Sequence, residues 1–384
     1  MSEEKLVPKL RFSGFKNLWD TYKLKDLLQN KSSNISINQL DENIGEYPLY
    51  GAGGFLKSID FYEMDCDYIS IVKDGSGVGN ISFHEKNSSI VNTSQYLLPK
   101  DNIDINFIFY LLQTINLDKY KTGSTIPHIY FKDYSIEKVH IPKLDEQSRI
   151  GFLFKNIDLK IKILEKKCQN YQEFKKYLMQ QIFTQKLRFA NFNKKWIKYQ
   201  FKDLGIVKSG VGFSKKYQGH LNLDYNLYKV SDMNLEVNKK YMVKSNNTVD
   251  NFILKDMNTK LIEKPSIIFA KVGEAIFLNR KRIVNNPFLI DNNMMAFSPN
   301  NKVNLEFIYY LSLTINFGKY AQIGALPSYN ASDIYSIKCE IPSIEEQEKI
   351  SSILSLVDEK IDYIKSYINN IIIFRKGLLQ QMFV

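Results

Sequence analysis

Two heptad stretches constrain this chain most, because each is about 40 residues long and they span residues 145–184 and 345–384. They lie 200 residues apart (350 − 150 = 200, from Ile150 and Ile350). Apolar residues alternate at spacings of three and four over more than four heptads, which predicts two long coiled-coil helices. The predicted packing positions are Ile150, Phe154, Ile157, Ile161, Leu164, Ile350, Leu354, Val357, Ile361, Ile364 and Ile371.

The rest of the chain also forms an internal sequence repeat. Leu10-Arg11-Phe12 returns as Leu187-Arg188-Phe189, an offset of 177 (189 − 12), whereas Phe107-Ile108 returns as Phe307-Ile308, an offset of 200. The second copy is therefore 23 residues longer (200 − 177), all gained between residue 203 and about residue 292. The two copies are similar at their ends and differ in their central parts, as expected for a protein that recognises two different sites. Neutral drift of the central parts would leave the same pattern.

Length and pattern together predict the domain organisation. A chain of 384 residues is too long to fold around a single hydrophobic core, so two or more domains are expected. Each copy of the repeat contains short β-rich runs and an amphipathic helix. The predicted fold class is α+β, with two mixed α/β domains joined and separated by two long antiparallel coiled-coil helices in a pseudo-two-fold internal repeat. An arrangement with both helices bundled against a partner's helices uses the same apolar rows. The predicted domains are 1–142, 143–185 (helix), 186–342 and 343–384 (helix).

Composition narrows the class of protein. Three scattered cysteines, no apolar run long enough for a bilayer, and an acidic N-terminus without an apolar segment predict a cytoplasmic protein without a membrane partner. A net charge of +11 and a pI of about 9.1 favour a polyanionic partner, with nucleic acid ahead of membrane. Charge alone decides little, since many basic proteins bind no polyanion.

Motifs for catalysis are weak. The glycine-rich run Asp74–Asn80 lacks the ending of a nucleotide-binding loop, so a tight turn that contacts DNA phosphate is the better interpretation. Asn286-Pro287-Phe288 resembles part of a base-methyltransferase motif but lacks the second proline, and a surface turn explains it better. The four histidines have no metal-ligand spacing, so no metal site is predicted. The sequence predicts no catalytic residues.

Basic, amide and hydroxyl side chains are the candidate DNA contacts. Arg and Lys neutralise phosphates or pair with guanine, and Asn and Gln pair with adenine. For any single residue a solvated loop is the more frequent explanation. The predicted DNA-binding residues are Tyr50, Lys57, Lys73, Ser76, Asn92, Thr93, Gln95, Ser124, Thr125, Lys215, Lys216, Tyr217, Lys229, Lys271, Arg280, Lys281, Arg282, Asn292 and Asn293.

Taken together, the pattern resembles the specificity subunit of type I restriction-modification enzymes over nearly the whole chain. The resemblance rests on Tyr47–Gly54, on Tyr228–Asn234, and on two Ile-Pro to Glu-Gln elements, at Ile141–Ile150 and Ile341–Ile350, each of which opens a coiled-coil helix. Gly123-Ser124-Thr125 also fits the family, whereas its counterpart Gly324-Ala325-Leu326 departs from it.

The resemblance implies that each globular domain is a target-recognition domain for one half of a split sequence in double-stranded DNA. It implies that the helices space the two domains and dock two methyltransferase subunits, which methylate adenine, and that restriction/translocase subunits join them. S-adenosylmethionine, ATP and Mg are then expected on the partner subunits and no cofactor on this chain. On this basis we expect the faces around Lys175 and Arg375 to bind partners. The alternatives are a non-specific coiled-coil DNA-binding scaffold and a self-contained DNA methyltransferase.

Overall fold

The computed structural model describes residues 7–40, 43–322 and 326–384. The chain divides into two compact units: unit 1 comprises residues 1–167 and 364–384, and unit 2 comprises residues 168–363. Each unit therefore contains one globular domain together with part of each long helix. The predicted domain boundaries fall at the helix ends, whereas this division cuts through both helices, so those boundaries stay a prediction.

Unit 1 begins with strands and short helices and leads into the first long helix. Its strands are β1 Asp20–Lys23, β2 Leu28–Ser32, β3 Tyr47–Gly51, β4 Gly54–Ile59, β5 Tyr68–Val72, β6 Ile81–His84, β7 Ser89–Ile90, β8 Ser94–Pro99 and β9 Lys138–Ile141. Its α-helices are α1 Leu24–Leu27, α2 Ile105–Leu112, α3 Phe131–Tyr134 and the start of α4 Leu144–Phe183, and its 3-10 turns are Ile37–Gln39 and Leu117–Tyr120.

Unit 2 follows the same order. Its strands are β10 Ile197–Gln200, β11 Gly205–Ser209, β12 Tyr225–Tyr228, β13 Thr248–Val249, β14 Ser266–Ala270, β15 Lys281–Val284, β16 Phe288–Ile290, β17 Met294–Pro299 and β18 Lys338–Ile341. Its α-helices are α5 Phe201–Leu204, α6 Asn251–Asp256, α7 Leu305–Thr314, α8 Ala331–Tyr335 and the start of α9 Ile344–Met382, and its 3-10 turns are Lys215–Tyr217, Val230–Asn234, Glu274–Ile276 and Phe317–Tyr320.

Sheet topology confirms the internal repeat. Unit 1 has an antiparallel pair β1-β9, a four-stranded sheet β2-β8-β5-β6 and a three-stranded sheet β4-β3-β7. Unit 2 has the equivalent pair β10-β18, four-stranded sheet β11-β17-β14-β15 and three-stranded sheet β13-β12-β16. Strands β3 and β7 pair in parallel, as do β12 and β16. The prediction of two mixed α/β domains is therefore confirmed.

The main core of each unit lies between its four-stranded sheet, its amphipathic helix and the long helices. All five residues of β5 and of β14 are buried, and these strands coincide with short β-rich runs of the sequence. Helix α2 begins where the Asp104 carboxylate accepts the Phe107 N–H at 2.9 Å, and α7 begins where the Asn304 amide oxygen accepts the Phe307 N–H at 3.0 Å. These N-caps satisfy amides that the first helical turn leaves unpaired.

The two long helices run antiparallel within each unit. In unit 1 the Phe154 and Phe383 rings lie 5.8 Å apart, and the Asp158 carboxylate lies 2.5 Å from Arg375, so residue numbers rise along one helix as they fall along the other. In unit 2 the residues at the end of α4 share a core with the start of α9. Every predicted heptad packing position is buried or half-buried.

The Glu-Gln pair at the start of each long helix forms a repeated buried anchor. Arg11 donates two hydrogen bonds to the buried Glu146 carboxylate, at 2.6 and 2.7 Å, and Arg188 does the same to Glu346, at 3.0 and 2.8 Å. The next residue, Gln147, donates to Pro142 O and accepts from Asp104 N. Gln347 makes the equivalent bonds to Pro342 O and from Asn304 N. Buried carboxylates need such partners, which explains the recurrence of this sequence element.

The expectation for Lys175 and Arg375 is wrong. Each side chain is only 19% exposed and faces the interior of its own unit, where Arg375 bonds to Asp158 and Lys175 bonds to Asp358 at 2.5 Å. Lys175 and Arg375 stand at equivalent polar positions of the two heptad stretches, and each has an aspartate partner on the other helix.

Candidate nucleic-acid interface

Three loops of unit 1 meet at one end of its four-stranded sheet. We call residues 73–80, 91–94 and 121–130 loop cluster 1. Lys73 N donates to Thr93 O at 2.9 Å, Gly75 N donates to Pro127 O at 3.0 Å, and Ile129 N donates to Lys73 O at 2.9 Å. Because backbone bonds join the three loops, their exposed side chains are held as one surface.

Unit 2 builds the same cluster with different side chains. We call residues 271–280, 291–294, 321–322 and 326–330 loop cluster 2. Lys271 N donates to Asn293 O at 2.9 Å, Gly273 N donates to Pro327 O at 2.8 Å, and Tyr329 N donates to Lys271 O at 3.2 Å. Of the segment that departs from the family pattern, Gly324 and Ala325 lie outside the described residues, whereas Leu326 is exposed.

The first loop differs in backbone between the clusters. Gly75, Gly77 and Gly79 have φ values of +83°, +86° and +86°, a region that glycine adopts without strain. Their loop is the tight turn that the sequence predicted. In the 271–280 loop of unit 2, Gly273 has a φ of +79° and Asn279 a φ of +50°, and a 3-10 turn follows Gly273. The two clusters thus share a frame but present different surfaces.

Most of the predicted DNA-binding residues of unit 1 come together in loop cluster 1. Lys73 is half-buried, with its Nζ 3.9 Å from an Asp74 carboxylate oxygen. The exposed members are Ser76, Asn92, Thr93, Ser124 and Thr125. Their hydroxyl and amide groups are free to face a ligand, which suits hydrogen bonding to base edges.

Loop cluster 2 contains fewer of the predicted residues. Lys271 is half-buried, and Asn292 and Asn293 are exposed. Asn293 also packs its amide against the buried Asp291 carboxylate, at 3.3 Å, and burial raises the pKa of that carboxyl group. Arg280 is exposed at the end of the 271–280 loop, where its guanidinium bonds to the Asn234 side chain.

Tyr50 and Lys229 border the clusters. Tyr50 O accepts from Val91 N at 3.0 Å at the edge of loop cluster 1. Its counterpart Tyr228 O accepts from Asp291 N at 3.0 Å, so the adjoining Lys229 lies beside loop cluster 2, with its Nζ 3.1 Å from Gln218 Oε1.

Lys281 must be removed from the predicted contacts. Only 1% of it is exposed, its Nζ donates to Asn279 Oδ1 at 2.5 Å and to Ile315 O at 2.9 Å, and it lies 3.9 Å from the centre of the Phe317 ring. Burial lowers the pKa of the Lys281 amine to about 7. An amine enclosed in this way has no surface for a phosphate.

Other predicted residues support the fold instead. Gln95 is buried on β8, and the buried Tyr217 hydroxyl bonds to Asp256, which also binds the exposed Lys216 at 2.8 Å. The Arg282 guanidinium donates to three backbone carbonyls, and Lys57 donates to Leu40 O at 2.5 Å. Lys215 is exposed beside Lys216, outside the loop clusters. Sequence alone does not separate these residues from the loop residues, because their partners lie far away along the chain.

Two exposed apolar residues that are not among the predicted DNA contacts lie close to loop cluster 1. Phe55 and Leu56 follow the glycine turn between β3 and β4 and are 62% and 44% exposed. The signal that would have found them is an apolar pair directly after Gly53-Gly54, because a Gly-Gly pair is a turn signal of β-hairpins.

The described residues provide neither a metal cluster nor a membrane helix. Among residues 7–40, 43–322 and 326–384, no group of three or more His, Cys, Asp or Glu side chains is placed to hold a metal ion. In the same ranges no helix is long and apolar enough to cross a membrane.

Comparison with known families then decides the class. The model of the type I restriction modification DNA specificity domain matches residues 16–171 and 193–372, one match in each repeat. The chain belongs to this family. As a type I specificity protein it recognises DNA sequence for a restriction-modification complex, and its two repeats fit a target in two parts.

Individual relatives agree with the family match. The type I restriction enzyme MjaVIII specificity subunit of Methanocaldococcus jannaschii is 24% identical over 90% of this chain and 87% of its own length. The crystal structure of the type I restriction-modification system S subunit from M. genitalium has a TM-score of 0.66 at 19% identity, covering 98% of this chain and 99% of that one. A chain from a study of type I R-M complex assembly and conformational transition has a TM-score of 0.55 at 10% identity, covering 95% and 96%. These two structures share the fold with this specificity protein.

Proposed function

We propose that unit 1 reads one half of a bipartite DNA target through loop cluster 1 and that unit 2 reads the other half through loop cluster 2. The observation that carries this proposal is the pair of equivalent backbone frames. Lys73, Thr93 and Pro127 make the same bonds as Lys271, Asn293 and Pro327. One frame with two sets of side chains is suited to two different half-sites.

The chemistry of the exposed groups supports base reading. The surface of loop cluster 1 has hydroxyl and amide groups, which hydrogen-bond to base edges, with Lys73 at the margin as a phosphate partner. Loop cluster 2 offers two asparagines with Lys271 and Arg280 at its margins. The net charge of +11 supplies the attraction to the phosphate backbone that non-specific binding needs.

The outer faces of the long helices are the proposed docking surface for two methyltransferase subunits. Large apolar side chains are exposed there, and Phe174 and Phe374, at equivalent places in the repeat, are 49% and 59% exposed. Exposed apolar side chains of this kind are typical of protein-binding surfaces. This replaces the predicted partner role of Lys175 and Arg375.

In this proposal the chain itself catalyses nothing. Adenine methylation belongs to the methyltransferase subunits with S-adenosylmethionine, and restriction belongs to ATP- and Mg-dependent translocase subunits. The complex acts on double-stranded DNA in the cytoplasm.

An exchange experiment tests the two-reader proposal. Residues 20–140 are replaced by the corresponding segment of another specificity protein, and the methylated sequence is mapped with the cognate methyltransferase subunits present. We expect one half-site to change and the other to remain, because the exchanged segment contains loop cluster 1 and excludes loop cluster 2. A change in both half-sites, or in neither, contradicts the proposal. Methyl transfer by the purified chain alone would favour a self-contained methyltransferase.

A further inference from the structure

The hairpin of β3 and β4 belongs to the three-stranded sheet β4-β3-β7 of unit 1, and its turn extends beyond the Tyr50–Ile90 pair that β3 makes with β7. Only Ala52 and Gly53 separate the two strands. A Cβ atom added to Gly53 or to Gly54 would meet no heavy atom within 4 Å, so the turn projects into open space. Phe55 and Leu56 follow directly, and their exposure leaves a large apolar surface in water at the tip.

This tip adjoins the proposed reading surface. The carbonyl oxygen of Tyr50, the residue before Gly51 and the turn, accepts a hydrogen bond from the Val91 N–H. Asn92, which follows Val91, donates its N–H to Ile35 O at 2.8 Å. Strand β3 runs parallel to β7 and so points toward the 91–94 loop. A duplex lying on loop cluster 1 therefore meets the hairpin tip as well.

Unit 2 is built differently at this place. Residues 229–247, nineteen in all (247 − 229 + 1), separate β12 from β13 where unit 1 has a two-residue turn. This connection folds back onto the sheet, because Met242 N donates to Ile283 O at 2.8 Å and Ile283 N donates to Lys240 O at 2.9 Å. Most of the extra length of the second repeat lies in this connection.

A two-stranded β-ribbon is narrow enough to enter the major groove of B-DNA, which is about 12 Å wide. A tip made of glycine and alanine lets the backbone approach the base edges closely. The apolar group that the major groove displays is the thymine methyl group, and apolar side chains contact it. Phe55 and Leu56 match that chemistry.

We propose that the β3–β4 hairpin of unit 1 enters the major groove of the half-site that unit 1 reads, and that Phe55 and Leu56 contact thymine methyl groups there. The inference rests on the proposed function, because it requires unit 1 to read a half-site.

The first test removes methyl groups from the DNA. The target sequence is taken from methylation mapping, and the exchange of residues 20–140 shows which half-site unit 1 reads. Each thymine of that half-site is then replaced in turn by deoxyuridine, and binding of the full chain with its methyltransferase subunits is measured. We expect about a fourfold loss at one or two positions, as the loss of one buried methyl group predicts.

The Phe55→Ala and Leu56→Ala variants decide whether these side chains make the contact. Both are expected to bind the thymine duplex more weakly and to lose the difference between thymine and uridine at those positions. Phe252→Ala is the matched control, since Phe252 is 76% exposed but lies on α6 of unit 2. It should keep the full thymine preference.

A second pair of variants probes entry of the tip without removing an apolar side chain. Gly53→Gln adds a long side chain in open space, so we expect an unchanged melting temperature but at least about a tenfold loss of specific affinity, within the range of one to a few disrupted base contacts. Gly53→Ala adds only one methyl group and should bind nearly as well as the wild type.

Several outcomes would overturn the hairpin proposal. These are an unchanged thymine preference in Phe55→Ala and Leu56→Ala, full specific affinity in Gly53→Gln, or a half-site without thymine on either strand. Failure of the proposed function looks different. In that case the wild-type complex would show no preference for the mapped target over a random duplex in the same salt.

Discussion

Units 1 and 2 have nearly the same arrangement of strands and helices but differ in the loops and side chains at their surfaces. Both units hold the start of a long helix with an arginine–glutamate pair, Arg11–Glu146 and Arg188–Glu346. In both, a tyrosine from the amphipathic helix bonds to an aspartate on the long helix, Tyr110 to Asp158 at 2.8 Å and Tyr310 to Asp358 at 2.7 Å. The buried polar contacts are retained where they fix the architecture, whereas the connection after β3 or β12 has diverged.

The longer connection of unit 2 also adds a polar network that unit 1 lacks at the equivalent residues. Lys240 Nζ bonds to Glu306 Oε2 at 3.0 Å and to Ser355 Oγ at 2.8 Å, which links the connection to α7 and α9. The equivalent positions in unit 1 are Asn106 and Lys155, which cannot form this ion pair. Unit 2 therefore ties its connection to α7 and α9, whereas unit 1 has only the two-residue turn Ala52-Gly53 at this place.

The two units also differ in the basic side chain that each buries, which is Lys281 in unit 2 and His84 in unit 1. The largest predicted effect is that of Lys281 on the stability of unit 2. Lys281 in unit 2 has a pKa of about 7, against an ordinary value of 10.5. The folded state favours the neutral amine. The contribution of Lys281 to the folding stability of unit 2 is therefore complete above pH 10.5 and is lost as the pH falls toward 7. The difference amounts to at most roughly 5 kcal/mol.

We therefore expect unit 2 to become more stable as the pH rises from 7 to 9.5. Lys281→Met should be more stable at pH 7 and should lose this slope, while the exposed-lysine control Lys215→Met should keep it. Each unit has one buried tryptophan, Trp19 or Trp196, so fluorescence of a Trp19→Phe background reports the unfolding of unit 2 alone. Equal slopes in Lys281→Met and the wild type would contradict the prediction.

Unit 1 is predicted to respond on the acid side instead. His84 is buried between the Tyr50 and Tyr68 rings, and Ser70 Oγ lies 2.8 Å from its Nε2. Burial lowers the pKa of His84 to about 4, so its contribution to stability is complete above pH 6.5 and is lost as the pH falls to 4. The loss is at most roughly 3 kcal/mol.

The double variant His84→Phe with Ser70→Ala keeps an aromatic ring in place and leaves no unpaired hydroxyl group. In a Trp196→Phe background, it should show a smaller loss of unit 1 stability between pH 6.5 and 4.5 than the wild type. The exposed His220→Asn serves as the control and should leave the slope unchanged. If the double variant lost stability as steeply as the wild type, His84 would not be the titrating group.

The sequence predicted the frame well because the frame is periodic and repeated. Heptads over 40 residues and two Ile-Pro to Glu-Gln elements locate α4 and α9 to within one or two residues. The contact residues were harder to predict, because a lysine in a basic run has the same sequence signal whether it faces DNA or a buried ring. Lys281 is enclosed by Phe317 and Ile315, more than 30 residues later, and no local pattern shows that contact. Lys175 and Arg375 were misplaced for the same reason, since their aspartate partners lie on the other helix.

The smallest predicted effect concerns these two cations. Arg375 makes hydrogen bonds to both Asp158 oxygens, at 2.5 and 3.1 Å, and a third to Gln113 Oε1 at 2.9 Å, whereas Lys175 makes one ion pair with Asp358. Arginine holds a carboxylate with a planar fork, and lysine acts as a point charge. Removing either cation leaves a half-buried aspartate with its tyrosine donor alone. We expect Arg375→Ala to destabilise unit 1 by about 2 kcal/mol and Lys175→Ala to destabilise unit 2 by about 1 kcal/mol.

Single-tryptophan urea unfolding of each unit measures these losses, and pairing each variant with Asp158→Asn or Asp358→Asn separates the pair from its surroundings. The exchange Lys175→Arg sharpens the comparison, because it gives unit 2 the fork of unit 1 at the equivalent place. If geometry sets the difference, this variant should gain part of the missing stability, while Arg375→Lys should lose it. Equal losses for Arg375→Ala and Lys175→Ala would mean that the number of hydrogen bonds does not matter here. The charge itself, opposite an aspartate of the other helix, would then be the property that both repeats retain.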